Sequence, residues 1–253
     1  MKTRYFIFLS YKGTSYHGWQ LQPNSVTVQK IIDNALSVLL REDIRTTGAG
    51  RTDTGVHALL FCAHFDSLSD EITDRNDLVF RLNRFLPDDI SVNCIRKVLP
   101  ESSARYSAVS RTYKYYISTI KDPFLNGSSW YLHGEMNIAM MNEACMILFR
   151  HSDFTSFSKL HSGSGTNICK IYEARWDMEE NLLVFTIKAD RFLRNMVRAI
   201  VGTMVDIGFG KINPDKFEKI ILERDRCSAG TSAPARGLFL FDIEYPPEIF
   251  IRD

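Results

Sequence analysis

One short run of the sequence combines residue types that acid–base or nucleophilic chemistry needs. Residues 48–58 read GAGRTDTGVHA, which places the carboxylate of Asp53 two residues after Arg51 on a polar, glycine-rich stretch. Gly50 and Gly55 permit positive φ or close approach of another backbone, so the acid is expected on a tight connection. Residues 56–65 are rich in strand formers. Because binding and catalytic residues are often held on such connections, Asp53 is the candidate catalytic residue.

Two other interpretations of Asp53 stay open on these residues alone. An aspartate between threonines and before a glycine is commonly a turn residue whose carboxylate bonds nearby backbone N–H groups. Asp53-Thr54-Gly55 is also the triplet of aspartic proteases, in which two aspartates share one proton. The chain has no second such triplet, so a homodimer would have to supply the second acid. Arg51 would keep the carboxylate ionised, which works against this hydrolase alternative.

The hydrophobic pattern around this run predicts a ferredoxin-like order of elements. Apolar residues at helical spacing predict a helix over 27–41 with Thr27 as its N-cap. The expected order is β-α-β-β-α-β. Its elements are a strand at 4–11, the helix, two strands flanking Asp53, a helix at 75–86 and a strand at 90–98.

The second half of the chain repeats this order with one additional helix. Its predicted elements are strands at 111–117, 169–178, 182–189 and 238–245, and helices at 137–149, 191–207 and 214–224. The sequence therefore predicts an α+β fold of two ferredoxin-like halves, residues 1–102 and 103–253. We expect their sheets to join around a central active-site cleft.

Bulk composition excludes several classes of protein. The 253 residues are 45% hydrophobic, enough for real cores, and a formal net charge of +1 means that any nucleic-acid-binding surface must be local. Five cysteines without a Cys-x-x-Cys pair indicate neither a disulfide framework nor a zinc site. The apolar run at 5–9 is too short for a secretory signal or a membrane span. We therefore expect a soluble, cytoplasmic protein without a bound metal.

Basic residues and one tyrosine gather in the second half, where they could contact RNA. Arg198 lies beside the apolar face of the predicted helix 191–207, where an arginine needs a partner. Tyr113 could stack on an unpaired base, although ordinary sheet packing would also explain a tyrosine there. For Arg191 or Arg194 taken alone, a solvated helix face is a sufficient explanation. The candidates for phosphate contact are Arg111 beside Tyr113, and Lys188, Arg191 and Arg194 at the entry and first turns of that helix.

The run around Asp53 closely resembles the catalytic motif of TruA-type tRNA pseudouridine synthases, in which Gly-Arg-Thr-Asp is followed by a small residue and Gly-Val-His-Ala. Thr54 stands where that family usually has alanine. Residues 11–22 resemble its N-terminal signature, except that Lys12 replaces the usual aspartate and puts a role for that acid in doubt. Further matches lie in order at 104–115, 153–202 and 233–238. The resemblance therefore covers nearly the whole chain.

The resemblance implies isomerisation of uridine to pseudouridine at positions 38–40 of the anticodon stem-loop of tRNA, without a cofactor. It assigns roles to five residues of the chain. Asp53 would be the nucleophile or base, and Arg198 would be its ion-pair partner. Tyr113 would stack on the uracil or exchange a proton with its ribose. Arg51 would fill the space of the extruded nucleotide, and Leu238 would form a wall of the pocket. Attack at C6, attack at C1′ and a glycal route all remain open. The family also implies a homodimer, with one tRNA contacting both subunits.

The main non-enzymatic alternative is a ferredoxin-like RNA-binding protein. It would account for the basic residues and for Tyr113. It would not account for Asp53 beside Arg51, since an idle carboxylate facing a polyanion repels phosphate. That asymmetry favours catalysis.

Overall fold

The computed structural model describes residues 2–68, 72, 75–159 and 166–251. The chain forms two compact units, Met1–Val109 with Leu240–Asp253, and Ser110–Phe239. Both units combine β-sheet with α-helices, and the described residues contain five α-helices in all. The prediction of a mixed helix-and-sheet fold is confirmed. Its finer form, two ferredoxin-like halves divided at 102/103, stays a prediction.

The first unit is built on a sheet in which a central strand pairs with two neighbours. Its elements are β1 (Thr3–Tyr11), α1 (Val28–Leu40), β2 (Thr47–Gly48), β3 (His57–Ser67), α2 (Arg75–Phe85) and β4 (Ile90–Lys97). β1 pairs antiparallel with β3 and β4, so that Ile7 lies opposite Ala63 on one side and Ile95 on the other. Five consecutive residues of β1, Tyr5 to Leu9, are buried, and Phe61 and Phe65 of β3 are buried in the same unit.

Helix α1 begins where the sequence predicts. The side-chain oxygen of Thr27 accepts the backbone N–H of Lys30, which satisfies one of the free donors of the first turn. Asp33, buried on the inner face of α1, accepts the backbone N–H of Thr46 at 2.9 Å and the Thr46 hydroxyl at 2.6 Å. These bonds tie the helix to the segment that leads into β2 and the Asp53 run.

The second unit also carries a sheet with helices. Its elements are β5 (Ser110–Ser118), β6 (Trp130–Tyr131), α3 (Ile138–Leu148), β7 (Ile171–Glu179), β8 (Leu182–Ala189), α4 (Met196–Gly208) and α5 (Pro214–Glu223), followed by β9 (Leu238–Glu244), whose residues from Leu240 belong to the first unit. β8 is the central strand and pairs antiparallel with β5 and β7. The register places Tyr113 opposite Ile187 and Thr112 opposite Lys188.

The predicted helix 191–207 is wrong at its N-terminal end, because α4 begins at Met196. Asn195 has φ +68 and ψ 0, a left-handed conformation that interrupts the right-handed helix. Upstream, the carboxylate of Asp190 accepts the backbone N–H of Arg191 at 2.7 Å. The apolar spacing of Phe192 and Met196 imitates a helical turn in the sequence. Arg191 and Arg194 therefore lie on the segment before the helix and not in its first turns.

Candidate active site

Asp53 lies at the start of a tight turn between β2 and β3. The backbone N–H of Val56 donates to the Asp53 carbonyl oxygen at 3.1 Å, and Gly55, the third residue of the turn, has φ +80. A positive φ at this position is that of a type II turn, which explains the glycine. The Asp53 side chain is half-buried and Thr54 is exposed. The turn thus holds the carboxylate at the edge of the core rather than within it.

The residue before the acid is anchored from a distant part of the first unit. The hydroxyl oxygen of Thr52 accepts the backbone N–H of Trp19 at 3.1 Å and is hydrogen-bonded to the Tyr11 hydroxyl at 2.9 Å. The backbone of Gly18 packs so closely that a Cβ there would lie 2.2 Å from the Thr52 carbonyl oxygen. Residues 11–19 therefore fix the backbone that carries Asp53.

A second set of bonds anchors the residues after the acid. His57 is fully buried, and its Nδ1 accepts the backbone N–H of Gly13 at 3.0 Å, so its ring proton is on Nε2 when the ring is neutral. The N–H of Gly55 donates to the Tyr16 carbonyl oxygen at 3.3 Å. The Asp53 turn is therefore held on both sides. Such rigidity is what a catalytic carboxylate needs to keep its attack geometry.

Arg51 lies on the same run as Asp53 and is exposed. Its Nε donates to the side-chain oxygen of Gln20 at 3.1 Å. The position suits a residue that contacts a bound polyanion, because the guanidinium stays accessible while the amide limits its rotation.

Tyr113 is half-buried on β5 and is packed by an aromatic neighbour in the second unit. Its ring meets Phe192 edge to face, with centroids 5.1 Å apart and an interplanar angle of 87°. Two residues away on the strand, Arg111 Nη1 donates to the backbone oxygen of Asp190 at 2.8 Å.

Tyr115 is fully buried, and burial raises the pKa of its phenol while the charges of Arg198 and Arg236 lower it. Tyr115 is therefore a packed residue, and Tyr113 is the accessible tyrosine of the two.

Arg198 projects from the first turn of α4 and is half-buried. Its Nε donates to the Ala233 carbonyl oxygen at 2.7 Å, and its own carbonyl oxygen accepts the Ala233 N–H at 2.9 Å. The sequence predicts that Arg198 needs a polar partner because its surroundings are apolar, and the Ala233 carbonyl oxygen is one such partner. Leu238 is buried at the start of β9.

The three further basic candidates lie close together in the chain and differ in exposure. Lys188 on β8 and Arg191 are half-buried, whereas Arg194 is exposed. The Arg194 backbone oxygen accepts the N–H of Lys159 at 3.0 Å, which fixes the segment before α4. Within the second unit the structure thus gathers the predicted basic residues on β5, β8 and the segment that follows β8. The pairing of Arg198 with Asp53 joins residues of different units and stays a prediction.

The described parts of the chain contain neither a candidate metal site nor a helix that could span a membrane. There, no three histidine, cysteine, aspartate or glutamate side chains are grouped so that they could hold a metal ion. The helices in those same ranges are all too short or too polar to cross a bilayer.

Sequence reasoning missed the residues that support the candidate site. The anchoring of Thr52 by Tyr11 and Trp19 does not follow from local pattern. The sequence carries two signals for this support: residues 11–22 resemble the N-terminal signature of a known family, and Gly18 permits close approach of another backbone.

Comparisons with known proteins agree on one family. A family model described as tRNA pseudouridine synthase matches residues 144–246. The tRNA pseudouridine synthase A of Bacteroides fragilis is 54% identical over 248 residues, which cover 98% of each chain. The enzyme of the same name from Bacteroides thetaiotaomicron is 52% identical over 253 residues, covering 99% of this chain and 93% of that one. That from Parabacteroides distasonis is 53% identical over 247 residues, 98% of each chain. The chain belongs to the tRNA pseudouridine synthase A family.

Proposed function

We propose that the protein isomerises uridine to pseudouridine at positions 38–40 of the anticodon stem-loop of tRNA, with Asp53 as nucleophile or base and no cofactor. Kinship over nearly the full chain supports the reaction class. The assignment of the site depends mainly on one observation. The half-buried carboxylate of Asp53 lies on a turn that is anchored through Thr52 on one side and His57 on the other.

The reaction breaks the N1–C1′ bond of uridine and joins C5 to C1′. N1 gains a proton and C5 loses one, so atoms and electrons balance without an external reagent. Asp53 attacks C6 or C1′, or removes a proton from the ribose in a glycal route. In each route the carboxylate must be ionised at the start and correctly oriented. Arg198 supplies both conditions as its ion-pair partner.

Recognition of the nucleotide is divided among residues of different chemistry. Tyr113, supported edge-on by Phe192, stacks on the uracil or exchanges a proton with the ribose. Arg51 occupies the space of the extruded nucleotide, and Leu238 closes the pocket. Extrusion costs a few kcal/mol, less at a loop or the end of a stem. Phosphate contacts come from Arg111, Lys188, Arg191 and Arg194.

Membership of the family also suggests how the chain is divided into halves and how it assembles. We infer that the chain is a duplication of two ferredoxin-like halves, 1–102 and 103–253. The element orders β1-α1-β2-β3-α2-β4 and, with one additional helix, β5-α3-β7-β8-α4-α5-β9 support this inference. We further propose a soluble, cytoplasmic homodimer in which one tRNA contacts both subunits.

The test is release of tritium from unmodified tRNA labelled at C5 of its uridines, because only chemistry at C5 frees that label. The matched substrate carries cytidine at positions 38–40 and is otherwise the same. Release from the first tRNA and none from the second supports both the reaction and its position. Release from both would contradict the assigned positions. Binding of tRNA without release would favour the non-catalytic RNA-binding protein instead.

A further inference from the structure

A loop of the second unit crosses α4 at unusually close range. Residues 229–234, here called the strap, connect the region after α5 to β9. A Cβ at Gly202 of α4 would lie 1.8 Å from the carbonyl oxygen of Thr231, so only glycine permits the crossing. The strap therefore has a fixed position along the helix, and its backbone groups are available to side chains of α4.

Three side chains hold the strap by hydrogen bonds. Arg226 donates through Nη1 to the carbonyl oxygens of Ala229 at 3.3 Å and Gly230 at 3.2 Å, and through Nη2 to the Ser232 hydroxyl at 2.8 Å. Asn195 donates from Nδ2 to the same hydroxyl at 2.6 Å. The hydroxyl of Thr203 accepts the N–H of Gly230 at 3.0 Å. Ser232 thus joins Arg226 to the residue immediately before α4.

The strap in turn holds the two polar side chains that approach it from α4 and β5. The Ala233 carbonyl oxygen accepts Arg198 Nε at 2.7 Å, and the Pro234 carbonyl oxygen accepts the Tyr115 hydroxyl at 2.8 Å. Ala233 itself is buried, with 1% of its surface exposed. A long arginine side chain has many rotamers, and a buried carbonyl acceptor selects among them.

We propose that Ser232 and Arg226 are positioning residues for the reaction, acting through the strap to aim the guanidinium of Arg198. This inference rests on the proposed function, since Arg198 pairs with the catalytic acid only there. The chain of bonds runs from Arg226 and Asn195 to the Ser232 hydroxyl, through one peptide unit to the Ala233 carbonyl, and to Arg198 Nε. Loss of the hydroxyl removes the two bonds, from Arg226 and from Asn195, that hold the strap one residue before that carbonyl.

Asn195 makes the arrangement sensitive to one hydroxyl group. Its left-handed backbone, φ +68, is unfavourable for a residue with a side chain, and its amide bond to Ser232 helps to hold it there. Asn195 is also the N-cap residue of α4 and lies three positions before Arg198. The same serine therefore controls both the acceptor of Arg198 and the start of the helix that carries it.

The test compares Ser232→Ala with Ser228→Ala, a serine four residues earlier that is also half-buried and lies before the strap. Single-turnover tritium release measures chemistry, and filter binding measures the Kd for tRNA. We expect Ser232→Ala to lower the single-turnover rate by about 10- to 100-fold, the range that small misplacement of a catalytic group produces. Its Kd should stay within about twofold of the parent value. Ser228→Ala should keep the parental rate, and Ser232→Thr, which keeps the hydroxyl, should recover most of it.

A direct readout of Arg198 separates positioning from a general loss of structure. The exchange of the Arg198 Nε proton with solvent is followed by 15N NMR, with the signal assigned by its absence in Arg198→Lys. We expect faster exchange in Ser232→Ala and in Arg226→Lys, and parental exchange in Ser228→Ala. Arg226→Lys keeps the charge but cannot span three acceptors, so it serves if Ser232→Ala does not fold.

The outcomes distinguish this inference from the proposed function. A parent protein that releases no tritium contradicts the function, while Nε–H exchange still reports whether the strap positions Arg198. An active parent with parental rate and exchange in Ser232→Ala overturns the inference. A lowered rate with unchanged exchange overturns it as well, because the strap would then act by another path.

Discussion

Replacement of Thr52 by valine tests whether the Asp53 turn is held as the structure indicates. Valine has nearly the shape of threonine and lacks the hydroxyl that accepts the Trp19 N–H at 3.1 Å and bonds to Tyr11 at 2.9 Å. Trp19 is 1% exposed, so water cannot replace the lost acceptor. The substitution removes hydrogen bonds and almost nothing else.

The expected cost follows from those two bonds. A buried N–H left without an acceptor costs about 1–3 kcal/mol, and loss of the Tyr11 bond adds about 1 kcal/mol. We therefore expect the free energy of unfolding of Thr52→Val to fall by about 3 kcal/mol. For a chain of this size that lowers Tm by roughly 6–12 °C. Displacement of the carboxylate should lower kcat by about 100-fold with KM nearly unchanged.

Thermal unfolding followed by circular dichroism measures the stability, and steady-state tritium release measures kcat and KM. Thr54→Val is the matched control, because Thr54 lies on the other side of Asp53 and is exposed. Its free energy of unfolding should change by no more than about 0.5 kcal/mol. Equal melting temperatures for Thr52→Val and Thr54→Val would refute the anchoring of the turn.

Three further perturbations have outcomes that follow from the structure. Gly18→Ala should destabilise the protein by about 3 kcal/mol or more, because the backbone there has φ +79 and the new Cβ would lie 2.2 Å from the Thr52 carbonyl oxygen. Gly50→Ala is the control, since a Cβ at Gly50 meets no atom within 4 Å, and its melting temperature should stay near that of the parent. Burial and the charge of Arg4 lower the pKa of His64, whose Nδ1 accepts the Ala104 N–H at 3.1 Å. The folded state thus binds fewer protons than the unfolded chain, so the stability that neutral His64 contributes is complete above the ordinary pKa of about 6.5 and is lost as the pH falls below it. Denaturant titrations at several pH values measure this pH dependence of the free energy of unfolding. His64→Asn should flatten the dependence, and His17→Asn, at an exposed position, should leave it intact. Arg194→Glu should weaken tRNA binding and reduce the log–log salt slope by about one, and an unchanged slope would show that this exposed residue is merely solvated.

Local signals in the sequence predicted the elements well where they were strong. The start of α1 was predicted correctly because Thr27 is a good N-cap residue ahead of a clear helical period. The start of α4 was not, because the spacing of Phe192 and Met196 fits a helix while the left-handed Asn195 leaves no trace in hydrophobic pattern. The hydrophobic pattern therefore assigns Arg191 and Arg194 to a helix, although both lie before its first residue.

The support of the candidate site could not be predicted from pattern at all. Thr52 is joined to Trp19 and Tyr11 across 33 and 41 positions of the chain, and Arg198 to Ala233 across 35. Such bonds depend on how strands and loops are brought together, which composition and periodicity do not encode. The sequence predicts Asp53 as the catalytic residue from its chemistry and its motif, and the structure adds how its turn is held.

The most direct test of the account is the single-turnover rate of Asp53→Asn on C5-tritiated tRNA. Asparagine has nearly the same shape as aspartate and can neither attack carbon as a carboxylate nor act as the base. Asp43→Asn, an aspartate whose side chain is 82% exposed, is the matched control. We expect Asp53→Asn to bind tRNA and melt like the parent while its rate falls by about 10⁴-fold or more, and Asp43→Asn to keep the parental rate. A parental rate of tritium release by Asp53→Asn would contradict the assignment of Asp53 as the catalytic acid.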